Sequence, residues 1–168
     1  VGNLLSYADG TTSAQYVYDA MNRKVSEAVD YGSFSLSYSY TYTPNGMKES
    51  FTGPDGIEYE YTYDAGGRIK SIGIPGQGFI TYNDYTWNRP ATMSLPGGTV
   101  KEYTYDPLMR YTGMRSDAPD DSAVMDYSYT HDGMDNILSK DTEHGSYAYS
   151  YDEIYQLTDA ANPETEDE

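Results

Sequence analysis

Tyr61-Thr62-Tyr63-Asp64-Ala65-Gly66-Gly67-Arg68 decides how the whole chain reads. Two tyrosines alternate with threonine, which puts both rings on one face of an extended segment. Tyr and Thr both favour strands. Asp64 ends the strand, because its carboxylate accepts hydrogen bonds from backbone N–H groups just ahead and closes a turn. Gly67, three residues on, supplies a positive φ. Arg68 then opens a second alternating run, Arg68-Ile69-Lys70-Ser71-Ile72. The stretch is a β-hairpin written in eight residues.

The same frame recurs along the chain, the mark of a repeat architecture. Tyr16-Val17-Tyr18-Asp19-Ala20-Met21-Asn22-Arg23 and Tyr103-Thr104-Tyr105-Asp106-Pro107-Leu108-Met109-Arg110 keep the tyrosines, the aspartate and the arginine. Tyr40-Thr41-Tyr42-Thr43-Pro44-Asn45-Gly46 has Thr for Asp. Tyr129-Thr130-His131-Asp132-Gly133-Met134-Asp135-Asn136 has His for the second Tyr and Asn for Arg. Tyr149-Ser150-Tyr151-Asp152-Glu153-Ile154-Tyr155-Gln156 ends in Gln. Tyr85-Thr86-Trp87-Asn88-Arg89 keeps the frame with three turn residues missing, which puts Trp87 in the slot of the second tyrosine.

A second turn signal closes each unit: Asp30-Tyr31-Gly32, Gly53-Pro54-Asp55-Gly56, Pro75-Gly76-Gln77-Gly78, Pro96-Gly97-Gly98, Ala118-Pro119-Asp120-Asp121 and His144-Gly145-Ser146. Two strands and two turns per unit predict an all-β chain of tandem hairpins with strands of about 5–7 residues and very little helix. The hairpins are expected to form one continuous twisted antiparallel strip. Residues 1–158 are read as about seven repeats plus a leading half repeat, Gly2-Asn3-Leu4-Leu5-Ser6, and residues 159–168 as an acidic run-on segment. Both ends fall inside a repeat, and the expectation is a window from a longer array.

Composition alone argues against a folded chain. Leu, Ile, Val and Phe make up only 23 of the 168 residues, and the formal charge is −17. That combination is usual in disordered chains. The 21 tyrosines reverse that expectation, since each brings a large apolar body with a polar tip. Tyrosine is therefore expected to build the core. The absence of cysteine excludes a disulfide scaffold. Ten basic residues against 27 acidic ones argue against nucleic acid as a partner. No apolar stretch is long enough for a membrane-spanning helix, so no membrane insertion is expected.

The recurring Tyr-x-Tyr-Asp-x-x-Gly-Arg pattern resembles the YD repeat of the Rhs family, shared with Tc toxin components, bacterial wall-associated proteins and teneurins. The resemblance covers residues 2–158. It implies a long β-strip that spirals into a hollow shell, enclosing a C-terminal effector in bacterial toxins and serving adhesion in teneurins. It also implies scaffold without a cofactor. The family's self-cleaving region after the repeats has no counterpart here: Asp106-Pro107-Leu108 comes nearest and reads as an ordinary turn.

Candidate chemistry is sparse. His131 fills a tyrosine slot and His144 sits in a glycine turn, so neither reads as a general base. The aspartates recur with one turn role, which is unlike a single catalytic carboxylate pair. Asp117-Ala118-Pro119-Asp120-Asp121 and Asp132-Gly133-Met134-Asp135-Asn136 carry hard oxygen ligands without the spacing of an EF-hand. No catalytic, cofactor or metal residue is therefore assigned. The expected anchors are structural: the aromatic, turn and arginine positions of the seven copies, Gly46 and Gly67 included. Arg23, Arg68 and Arg110 are expected to reach a turn aspartate or to lie on a tyrosine face.

The leading reading is a noncatalytic scaffold, with flanking repeats, further copies of itself or an enclosed effector polypeptide as partners, and self-association through sheet edges into a filament. The alternative is an adhesion or carbohydrate-binding module, because sugars stack on exposed aromatic rings much as bases do. The expected location is outside a bacterial cell or on its surface.

Overall fold

The computed structural model describes residues 2–163. Among these residues, fifteen strands follow one another in sheet order as they do in the chain. They are β1 (Ser6–Ala8), β2 (Ser13–Tyr18), β3 (Lys24–Asp30), β4 (Ser35–Tyr42), β5 (Lys48–Thr52), β6 (Glu58–Tyr63), β7 (Ile69–Ile74), β8 (Gly78–Thr86), β9 (Arg89–Ser94), β10 (Val100–Tyr105), β11 (Tyr111–Asp117), β12 (Ala123–His131), β13 (Ile137–Thr142), β14 (Gly145–Tyr151) and β15 (Leu157–Ala161). The all-β antiparallel strip expected from the repeat is what the chain forms. Strand lengths range more widely than expected, from three residues in β1 to nine in β8 and β12.

The chain divides into two compact units, Val1–Ile80 and Thr81–Glu168. In each, successive strands pair as an antiparallel meander. The register slips by one residue just before each aspartate turn, at Val17/Tyr18, Thr41/Tyr42, Thr62/Tyr63, Thr104/Tyr105, Thr130/His131 and Ser150/Tyr151. One β-bulge per repeat is thus built into the pattern. Strand β15 extends to Ala161, so Asp159, Ala160 and Ala161 pair with β14 where a run-on segment was expected. Glu164, Thr165, Glu166, Asp167 and Glu168 of that segment lie outside the described residues.

The expectation of a tyrosine core needs correcting. Among the described residues, the buried hydrophobic side chains are Ala14 and Val29, and no large side chain is fully buried. Each unit is a single layer, so most of its tyrosines lie half-buried on one face, covering one another, while Tyr7, Tyr31 and Tyr155 are exposed. In β4, β6 and β14 the half-buried positions alternate strictly with exposed ones, and every tyrosine of those strands is on the half-buried side.

Candidate functional site

The feature that repeats is the aspartate turn together with the tyrosine that precedes it. In the first unit, Asp64 Oδ1 accepts the N–H groups of Gly66 at 2.8 Å and Arg68 at 2.9 Å, while Oδ2 accepts Arg68 Nε at 2.7 Å. Asp19 does the same with Met21 and Arg23. Backbone bonds complete the turn: the Asp64 N–H donates to the Arg68 carbonyl at 2.9 Å, and the Gly67 N–H to the Asp64 carbonyl at 3.0 Å. In the second unit Asp106 and Arg110 repeat the full set. Asn136 replaces the arginine by donating its amide to Asp132 Oδ2 at 2.8 Å. Asp152 keeps the two backbone bonds, from Ile154 and Gln156. Thr43 substitutes with its hydroxyl, which accepts the Met47 N–H and donates to the Met47 carbonyl, both at 3.1 Å.

These bonds favour the ionised form of Asp19, Asp64, Asp106 and Asp132. The backbone N–H of Arg23 and that of Arg68 are the largest influences lowering Asp19 and Asp64 below the usual carboxylate range. The Asn136 amide does so for Asp132. At Asp106 burial pulls upward, and the bonds from Arg110 outweigh it.

The tyrosine before each aspartate stitches one hairpin to the previous one. The β3–β4 ladder ends at Ser26 and Ser39, so the last residues of β4 have no partner in β3. The Lys24 carbonyl would be left without a donor there. Tyr42 Oη reaches it at 2.8 Å. Tyr18 bonds the Leu4 carbonyl at 3.0 Å, and Tyr63 the Lys48 carbonyl at 2.7 Å. In the second unit Tyr105 bonds Pro90 and Tyr151 bonds Ile137, each at 2.9 Å. Arginines add a second stitch from turn to turn: Arg23 Nη1 donates to the Thr43 carbonyl at 3.2 Å, and Arg110 Nη1 to the Asp132 carbonyl. His131 occupies the tyrosine slot opposite Ile137, with the shorter imidazole in place of the phenol.

Trp87 departs from its expected place. Thr86 pairs with Arg89, so the loop shrinks to two residues, and Trp87 sits in it at φ 59° and 83% exposed. Losing three turn residues moved the aromatic out of the strand and into the loop. Tyr85, opposite Pro90, keeps its strand position and stacks on Tyr82 at 6.0 Å.

The two faces differ in chemistry. On the tyrosine face of the first unit, Phe51 meets Tyr38, Tyr40 and Tyr59 at 5.5–6.2 Å. Lys24 lies over Tyr16 and Tyr40, Lys48 over Tyr40 and Phe51, and Arg23 over Tyr42. In the second unit Tyr111 meets Tyr103, Tyr105 and Tyr129, and Lys140 lies over Tyr127 and Tyr147. Burial, reinforced by the Tyr129 phenol, pushes the Tyr111 hydroxyl up to about 12. The opposite face is hydroxyl and carboxylate. Thr41 bonds Ser50, Thr62 bonds Ser71 and Thr130 bonds Ser139 across strands, and Glu58, Glu60 and Glu102 share the register of that face.

The sequence reading missed Phe51, Tyr111 and the three lysines. Their signal was present in the pairing: Phe51 stands opposite Tyr40, and Lys140 opposite Tyr129. Among the described residues, no group of three or more His, Asp or Glu side chains gathers as a metal site. His144 Nε2 lies 3.5 Å from Glu143 on an exposed turn.

Comparison with known proteins agrees with this architecture. None of the curated proteins matches the chain. Among solved structures, the crystal structure of TcdB2-TccC3-Cdc42 superposes with a TM-score of 0.84 at 16% identity, covering 95% of this chain and 9% of that one. The Photorhabdus luminescens Tc holotoxin pore, with a TccC3-D651A mutation, gives 0.81 at 17% identity with the same coverages. At this identity the likeness is one of fold, and the chain spans a small fraction of the length of those it resembles. The teneurin YD-shell family matches residues 1–167, and with its aspartate turns and stitching tyrosines this chain belongs to that family.

Proposed function

We propose that the chain is a noncatalytic stretch of wall in a YD-repeat shell whose parent protein encloses a polypeptide cargo. The observation that carries this reading is the stitch: a tyrosine hydroxyl bonded to the neighbouring hairpin's carbonyl in five of the repeats. A wall one layer thick has no interior to bury, so its strength comes from lateral bonds of this kind. The turn aspartates fit the same role, since their oxygens are taken up by local N–H groups. Arginines that pair with a turn aspartate and reach the next turn carry the load along the strip.

Urea unfolding of the full chain, run beside a glycan array, tests the reading. Tyr61→Ala and Tyr127→Ala should lower the unfolding midpoint, and the parent chain should bind no glycan above background. Glycan binding that disappears in these variants while the midpoint stays put would replace the wall with a carbohydrate-binding face. For the cargo, limited proteolysis of the parent protein should leave the enclosed polypeptide intact until the wall is unfolded. Cleavage of that polypeptide at the rate of a free chain would refute enclosure.

A further inference from the structure

The first unit holds a hollow of about 600 Å³ on its hydroxyl and carboxylate face, where the turn before β6 and the turn between β7 and β8 flank the strands. That volume falls in the range of ligand sites. Its floor is Gly73, which is buried and pairs with Glu60 across the β6–β7 ladder. A Cβ added to Gly73 would stand 3.3 Å from Phe79 Cε1 and 3.6 Å from Glu60 Cβ. The first of these contacts is tighter than an ordinary one, so glycine is what lets the Phe79 ring settle on the strand beside the stem of Glu60. The ring is still 58% exposed, and Ile57 and Pro75 add apolar wall around it. Glu58 and Glu60 both line the hollow, two residues apart on one face of β6 and so roughly 7 Å from stem to stem. Among the described residues neither carboxylate pairs with a base.

From this juxtaposition we infer a binding site for an arginine side chain presented by another polypeptide. An exposed ring beside a free carboxylate attracts a cation to its face. The apolar wall takes the methylene stem, as long basic side chains prefer. Arginine fits better than lysine because its guanidinium is flat, weakly hydrated and forked: it stacks on the Phe79 ring while its N–H groups face the carboxylates. A lysine ammonium would meet one carboxylate as a point charge. Charge also favours the guest, since the chain's net −17 draws a cationic partner toward it. The chain's own arginines are engaged: Arg23, Arg68, Arg110 and Arg115 pair with Asp19, Asp64, Asp106 and Asp117, and Arg89 lies over Tyr105. A second copy would bring the same engaged arginines and the same negative charge, so the partner is a different polypeptide with an accessible arginine. The inference is independent of the wall reading, because nothing in it depends on which side of a wall this face lies.

Nuclear magnetic resonance titration of the full chain with N-acetyl-arginine amide, a mimic of one arginine within a chain, tests the site. Amide shifts should saturate with a dissociation constant on the order of 1–10 mM and centre on residues 56–60 and 73–79. N-acetyl-citrulline amide, which keeps the shape and lacks the charge, should give no saturable shift. N-acetyl-lysine amide should bind at least about threefold more weakly. The double variant Glu58→Gln, Glu60→Gln should weaken arginine binding at least about fivefold, and Phe79→Leu about threefold, each with a dispersed amide spectrum that shows the fold intact. Phe79→Tyr, which keeps the ring, should bind as the parent does. Glu102→Gln, a charge removed from the same face of the second unit, should also leave binding unchanged. Citrulline or lysine binding as tightly as arginine, or an unweakened double variant, would overturn the proposal. So would shifts that climb without saturating at carboxylates all along the chain, which would mark charge attraction without a site.

Discussion

Residues 2–80 and 81–163 use one backbone pattern and fill its tyrosine face by different means. The first unit seats cations among the rings: Lys24 and Lys48 each lie over two of them, and Arg23 lies over Tyr42. Both units also set ring against ring, Phe51 against three tyrosines in the first and Tyr111 against Tyr103, Tyr105 and Tyr129 in the second. Lys48 lies over Phe51 itself, whereas the second unit's cations lie over Tyr105, Tyr127 and Tyr147, around the cluster and not over its centre. Cation–π contacts keep their worth beside water, about 0.5–1 kcal/mol each at exposed sites. Ring clusters gain from excluding it, and the Tyr111 hydroxyl registers that exclusion by its displaced ionisation. The difference shows that the repeat specifies where a large side chain must lie and leaves open what it lies against.

Removing the centre of each cluster is the most direct way to break this comparison. Tyr111→Ala should destabilise the second unit by about 3 kcal/mol, below the upper range for a buried aromatic because the ring is half-buried. Phe51→Ala should cost the first unit about 2 kcal/mol, since the lysines can settle on the remaining tyrosines. Urea unfolding followed by near-ultraviolet circular dichroism reads both. Losses under about 1 kcal/mol in both variants would show that the rings cover the face without holding it.

The ends of the pH range should separate the units next. Tyr111 has its folded ionisation raised to about 12 from an ordinary value near 10, so its contribution is complete below pH 10 and is lost as pH rises through about 12. Alkaline unfolding followed at the phenolate absorbance should therefore show the second unit's cluster ionising last and together with its loss of structure. At the acid end the sign reverses. Asp19, Asp64 and Asp132 ionise below their ordinary values, so what they contribute is present above pH ~4 and lost as pH falls through their lowered folded values. Both units carry such turns and should weaken together in acid. A phenolate titration in which Tyr111 ionises with the other tyrosines would remove the distinction between the two faces.

The stitches should be equal in both units, which sharpens the comparison from the other side. Tyr63→Phe deletes one hydroxyl bond in the first unit and Tyr105→Phe one in the second, leaving the rings in place. Each should cost about 1 kcal/mol, the usual net worth of one hydrogen bond plus part of the penalty for the carbonyl left behind. Unequal losses would mean that the frame itself, and not only its filling, differs between the units.

Much of this was legible in the sequence because the repeat is local. Alternation gave the strands, Asp and Gly gave the turns, and seven copies in register gave the all-β strip. The arginine–aspartate pairing was also within reach, since both groups sit in one five-residue turn. What escaped depends on register between strands. Phe51 lies nine residues beyond Tyr42, outside the turn pattern, and becomes a cluster centre only because a bulge between Thr41 and Tyr42 sets it opposite Tyr40. Trp87 was misplaced because the missing turn residues shorten the loop to two, a change in geometry that frame alignment hides. The tyrosine core was overestimated because composition reports how much can be buried and says nothing of whether a second layer exists to bury it.

The smallest effect expected lies in the turn position three residues after each aspartate or its substitute. It takes a positive φ in both units, filled by Asn22, Gly46 and Gly67 in the first and by Met109, Asp135 and Tyr155 in the second. Glycine adopts that conformation freely, whereas a side chain with a Cβ pays roughly 1 kcal/mol for it. Room is not the constraint at Gly67, where an added Cβ would meet Met47 Sδ at 3.7 Å, an ordinary contact. Gly67→Ala should therefore lose about 1 kcal/mol through backbone strain alone. Met109→Gly should gain about 0.5 kcal/mol, the relief of strain being partly offset by the greater freedom of glycine in the unfolded chain. Thermal unfolding of the two variants beside the parent measures both. A loss at Met109→Gly would mean that this methionine is held by contacts worth more than its strain, and that the second unit's departures from glycine are part of how its turns are built.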